Sequence, residues 1–183
     1  MLHAHCRLCQ AVLLSGLLCA SVCLQAAWGQ ERVGENELKA AYVFNFIQFV
    51  EWPLGDGRAG ADWIICVSPF SPLRRSLLAL EGRPARKDNP IRIRLWEAND
   101  IDDCRVLVLN GTDTERALRT LRALPGKQAV LTISDDSASV PPDIMIALFR
   151  EGDRIAFHIN ADAVGKSGLT VSSRLMRLSK GAR

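Results

Sequence analysis

The chain has 183 residues, 48% of them hydrophobic and 23% charged, with a formal net charge of +3. Its length suits a single domain, and its apolar content supplies a substantial core. Acids and bases are interleaved along it, which excludes the basic stripe that a nucleic-acid partner would need.

Residues 1–29 read as an export signal. Arg7 precedes the apolar run AVLLSGLLCASVCL, and AAWG then places Ala27 and Gly29 where a signal peptidase reads small residues, so cleavage falls before Gln30. Cys19 and Cys23 follow the apolar run as a lipoprotein cysteine would, but Leu18 and Val22 are too bulky for that processing. The mature domain, residues 30–183, contains no further apolar run of spanning length and is expected outside the cytoplasm, without direct membrane insertion. Losing Arg7 and no acid lowers the charge from +3 to +2. Cys66 and Cys104 are the cysteines that remain. An even pair in an oxidising compartment suggests one disulfide, spanning 38 positions and worth roughly 4 kcal/mol by chain entropy. Two buried free thiols are the alternative. With those cysteines and a single mature histidine, His158, no metal site is expected.

In chain order, residues 36–51 read as a helix with Asn36 as N-cap and Pro53 as stop. DWIICVS, 62–68, is a short continuous apolar run and reads as a buried strand. SPLRRSLLALEG follows as a helix, with Ser71 as cap, Leu73, Leu77 and Leu80 on one stripe, and Gly82 as stop. GRPARKDNP reads as a loop. IRIRLW, 91–96, alternates, sending Ile91, Ile93 and Leu95 inward and Arg92 and Arg94 to water. RVLVL, 105–109, is another buried strand, and TDTERALRTLRAL a helix with Thr112 and Glu115 in capping-box spacing. AVLTI, 129–133, is a strand. DIMIALFREGDRIAFHIN reads as an antiparallel hairpin turning at EGD, with Ile155, Phe157 and Ile159 on one face. ADAVGKSGLTVSSRLMRLS is one broken helix or two, interrupted near Gly168. The alternation followed by a hairpin predicts an α/β single-domain sandwich, a central mixed β-sheet flanked by helices on both faces.

The first helix stands out. KAAYVFNFIQFVEWP places Tyr42, Phe44, Phe46, Phe49 and Trp52 together, nearly half the aromatic residues of the chain. A helix apolar almost all round, and too short to cross a bilayer, is either wrapped by its own fold or shares one face with a second chain. Several apparent motifs carry no chemistry. GDGRAG, 55–60, has dinucleotide-loop spacing but precedes a strand instead of joining strand to helix. NGT, 110–112, fits a turn and helix cap better than a glycosylation site. SDDS, 134–137, reads as a solvated loop rather than a cation site, and His158 has no GxSxG elbow to serve. No catalytic residue and no cofactor is assigned.

ELKAAYVFNFIQFVEWP, WIICVSPFSPL, the Cys104-RVLVL segment and IAFHINADAVGKSGLTVSSRLMRL, taken in register, resemble the YfiR family of exported bacterial repressors. The resemblance implies a periplasmic α/β domain that holds down a membrane-bound diguanylate cyclase by binding the enzyme's periplasmic sensor region. Release then raises cyclic di-GMP and favours biofilm. It implies further a homodimer, sensitivity to redox state, and Cys66 with Cys104 as the bridging pair. On adjacent parallel strands that bridge requires an offset register, because the two Cα atoms must lie within about 7 Å. On this reading Tyr42, Phe44, Phe46, Phe49 and Trp52 are partly core and partly protein interface. The alternative is a periplasmic small-ligand sensor using Arg154, His158 and Arg174.

Overall fold

A run of residues free of Gly and Pro, Glu35–Phe49, forms the first helix, α1. The computed structural model describes residues 34–54, 62–86, 89–125, 129–135 and 140–180. The expected signal peptide, the GDGRAG stretch, and Asp136 and Ser137 lie outside the described residues. α1 is capped at Gly34 rather than Asn36, and the Glu37 carboxylate accepts from the Gly34 amide, satisfying a donor the helix start leaves open. It stops at Phe49, short of Pro53, because Val50 turns to extended geometry. Val50–Glu51, β1, then pairs antiparallel with Thr170–Val171, β9.

The large sheet is built from β2 (Trp63–Val67), β3 (Pro84–Arg86), β4 (Asn89–Leu95), β5 (Val106–Leu109), β6 (Leu131–Ser134), β7 (Ile146–Glu151) and β8 (Arg154–Ile159). They lie side by side in the order β3-β4-β2-β5-β6-β7-β8. The five inner strands run parallel, and β3 and β8 run antiparallel at the two edges. The expected loop GRPARKDNP therefore contains a short edge strand, and Pro84 sits where a missing backbone donor is tolerated. β3 covers only the start of β4, so Leu95 at the far end of β4 is exposed instead of facing in.

Alternate strand residues face opposite ways. Ile65, Val67, Val106, Val108, Leu131 and Ile133 pack under α1, α2 (Arg74–Leu78), α4 (Ala161–Ser167) and α5 (Ser173–Leu178). Cys66, Leu107 and Leu109 pack under α3 (Thr114–Ala123) and a 3-10 turn at Ile101–Asp103. This is the expected α/β sandwich with a mixed sheet and helices on both faces. The ambiguous last segment resolves into two helices. Asn160 caps α4, Gly168 ends it at φ 81°, β9 follows, and Ser172 caps α5.

The outer rim of β8 is covered by the chain itself. Tyr42 donates to the Ile155 carbonyl at 3.3 Å, the Lys180 amide to the Phe157 carbonyl at 2.9 Å, and the Ile159 amide to the Ser179 hydroxyl at 3.2 Å. Three of the edge groups that would otherwise invite strand addition are thus satisfied.

Candidate interaction surface

α1 divides into a buried line, two flanks and an outer ridge. Ala40, Val43, Phe46 and Ile47 are buried in the core, with the Phe46 ring edge-on to Phe157 at 5.1 Å. Phe46 is fully buried and cannot touch a partner in this fold, which corrects its place among the expected interface residues. Its position directly over the sheet leaves no route to solvent.

The other four aromatics are half-buried, and each is tied down. Tyr42 lies against Phe157 and reaches the β8 rim. Arg83 stands over the Phe44 ring at 4.6 Å, and Arg174 over the Phe49 ring at 5.8 Å. Trp52 packs edge-on to Trp63 at 4.9 Å and donates to the Ala129 carbonyl at 2.9 Å. Arg86 stands 5.9 Å from its ring centre and also caps the end of α1, donating to the carbonyls of Ile47, Gln48 and Val50. A helix end without its own basic residue thereby has its open carbonyls satisfied from β3. Guanidinium groups over ring faces add cation–π attraction of about 0.5–1 kcal/mol each at such exposed sites. Between the flanks runs the outer ridge of Leu38, Ala41, Asn45 and Gln48, exposed and uncharged.

A second feature, absent from the sequence reading, ties α1 to the carboxyl ends of the strands. Lys39 is buried; its ammonium pairs with Glu35 at 2.9 Å and donates to the main-chain carbonyl of Asp135 at 3.4 Å. The Asp135 carboxylate accepts from the Ser71 hydroxyl at 2.7 Å and from the Asn110 amide at 3.2 Å. Burial pushes the Asp135 carboxyl above the ordinary aspartate range, against these hydrogen bonds and the nearby Lys39 charge. The Lys39 hydrogen bond holds the Glu35 carboxyl below the usual range. The only hints in the sequence were a lysine on an otherwise apolar helix and an acid directly after a buried strand.

Cys66 and Cys104 are joined, with Cα atoms 5.7 Å apart and both residues buried. Along the sheet Cys66 lies opposite Leu107, three positions beyond Cys104. The required offset arises because Cys104 is not a strand residue: it ends the 3-10 turn, which lies over the sheet face that Cys66 points into.

Arg154, His158 and Arg174 do not converge. Arg174 belongs to the α1 face, whereas His158 stacks on Phe149 at 4.6 Å and bonds through Nδ1 to the Lys180 carbonyl. His158 lines a groove of about 780 Å³ with Val140, Pro141, Pro142, Ala147 and Lys180. Arg154 stands at the hairpin end of β8, paired in register with Glu151. Among the described residues there is no group of three or more His, Cys, Asp or Glu placed to hold a metal ion, and no helix long and apolar enough to cross a membrane.

A protein-family model described as YfiR/HmsC-like matches residues 36–180. The chain belongs to the YfiR/HmsC-like family. No curated protein matches it. The family match runs from the first turn of α1 through the tail that covers β8, so the ridge, its arginine-capped flanks and the disulfide all lie inside the YfiR/HmsC-like region.

Proposed function

We propose that this YfiR/HmsC-like protein is a periplasmic, non-enzymatic regulator that represses an inner-membrane diguanylate cyclase by binding the enzyme's periplasmic sensor region. Binding lowers cyclic di-GMP and restrains biofilm formation. Residues 1–29 serve as its cleaved export signal, and the mature protein acts as a homodimer. The observation that supports this reading best is α1 itself, whose Phe44 and Phe49 rings are half-buried and held under arginines beside an exposed uncharged ridge. Rigid aromatic and arginine side chains at a surface favour association, because little rotamer freedom remains to be lost on contact.

Capture of the periplasmic region of the neighbouring membrane cyclase by the mature protein tests the proposal. Specific capture, together with lower cyclic di-GMP when both are present, is the expected result. A protein that neither binds that region nor changes cyclic di-GMP would remove it.

A second reading, a small-ligand sensor, draws on the groove beside His158. Thermal shifts against a metabolite set, lost in His158→Ala, would favour it.

A further inference from the structure

We propose that the outer ridge of α1 receives an acidic helical segment of a partner protein, whose carboxylates close on Arg83 and Arg174; this rests on the regulator reading above. Leu38, Ala41, Asn45 and Gln48 recur at intervals of three and four, which makes a straight stripe along one side of the helix. All four are exposed and uncharged, and Ala41 near the middle permits close approach of another backbone. Phe44 bounds the stripe on one side under Arg83, and Phe49 bounds it on the other under Arg174.

These two guanidinium groups differ from five others in the fold, and Arg116, stacked on Trp96, shares their character only on the opposite side of the sheet. Arg86 is committed to the carbonyls ending α1, and Arg92, Arg94, Arg122 and Arg150 each face a carboxylate within ion-pair distance. Arg83 and Arg174 have an aromatic face beneath them and no carboxylate partner among the described residues. A guanidinium resting on a ring is partly oriented already, while its N–H edge stays open for paired hydrogen bonds to a carboxylate. Two such cations on either side of a neutral seam match a helix that carries acids on both shoulders of a small or apolar stripe, as flanking charges do in paired helices.

A second copy of this chain fits the ridge less well. The acids α1 could offer across a two-fold axis are engaged, Glu35 with Lys39 and Arg150 and Glu37 with the Gly34 amide.

The test compares the mature protein with R83E/R174E and with R116E/R119E. The second pair removes the same charge, including the guanidinium stacked on Trp96, from the α3 side of the sheet. Each is titrated with the periplasmic region of the neighbouring cyclase, and separately with an alanine-based helical peptide bearing glutamates on both shoulders and its glutamine twin. Amide chemical shifts of Leu38, Ala41 and Asn45 report contact, and thermal melts report folding. R83E/R174E is expected to melt like the parent yet bind the cyclase region at least tenfold more weakly, with R116E/R119E unchanged. The glutamate peptide should move the ridge resonances of the parent and the glutamine twin should not. Cyclase binding unaffected by R83E/R174E would overturn the inference while leaving the regulator reading intact. Ridge shifts with the glutamate peptide, but no cyclase binding by the parent, would retain the surface and end the regulator reading. A dimer dissolved by R83E/R174E would assign the ridge to a second copy, and ridge resonances unmoved by either ligand would overturn the inference outright. Should R83E/R174E melt early, R83Q/R174Q replaces it under the same criteria.

Discussion

The guanidinium of Arg86 donates from Nε to the Ile47 carbonyl at 3.0 Å, fastening a sheet-edge strand to the end of α1. Its second nitrogen reaches Gln48 and Val50, so one side chain serves carbonyls that the helix cannot satisfy internally. Arg86→Ala is expected to cost about 2 kcal/mol in denaturant unfolding, since charged donors to part-buried carbonyls are lost together. Arg86→Lys should recover only part, because an ammonium lacks the planar fork. A loss below about 0.5 kcal/mol would mean that water caps those carbonyls equally well.

Removing the Cys66 to Cys104 bridge frees a loop of 38 residues in the unfolded chain. C66A/C104A is expected to lose about 4 kcal/mol by the chain-entropy relation. Both cysteines are buried, so a thiol reductant must wait for local opening. Mass spectrometry after brief reduction should find the native protein still bridged and the unfolded protein carrying free thiols. Equal reduction of both forms would contradict a structural role for the bridge.

The raised Asp135 carboxyl sets the sign of a pH effect. The folded state holds this proton more tightly than the unfolded chain, so the group's contribution is fully present below the unfolded pKa and is lost as pH rises through the folded one. Asp135→Asn fixes a neutral side chain that can still accept from Asn110 and donate to the Ser71 hydroxyl. Below neutral pH the parent should therefore gain stability relative to D135N as acid is added. Glu151, whose carboxyl is held low by Lys180 away from this network, acts in the opposite direction in both proteins and cancels in the difference. Melting curves across the acidic range decide this; a flat difference would contradict the assignment.

Phe46 and Phe44 are two positions apart on α1 and should respond differently. Phe46→Ala empties a fully buried site and is expected to cost about 4 kcal/mol, whereas Phe44→Ala removes a half-exposed ring and should cost about 1 kcal/mol. Urea unfolding distinguishes the two. Similar losses would mean that Phe44 is more deeply engaged than its exposure indicates. Tests of association should accordingly use Phe44, and leave Phe46 in place.

Much of the sheet was legible because its inner strands are short, continuous apolar runs covered on both faces, a pattern that survives without knowledge of neighbours. β3 was not, because Pro84–Arg86 has loop composition and becomes a strand only through its partner at the start of β4. β1 was hidden likewise: Val50 and Glu51 continue a helical pattern until β9, more than a hundred residues later, supplies hydrogen bonds. The aromatic richness of α1 was plain, but its division between core and flank was not. Helical spacing alone does not say that Phe46 faces the sheet while Phe44 and Phe49 meet arginines from β3's approach and from α5. The bond network of Lys39, Ser71, Asn110 and Asp135 was illegible for the same reason, since its members are drawn together only by strand order.

The way the tail and Tyr42 engage the rim of β8 has a consequence for how copies of the chain can meet. A border whose amide and carbonyl groups are in part already occupied is a poor template on which copies could stack without limit. At this border unions are left mainly to side chains over a finite area, which favours a fixed stoichiometry and contacts that a competitor can undo.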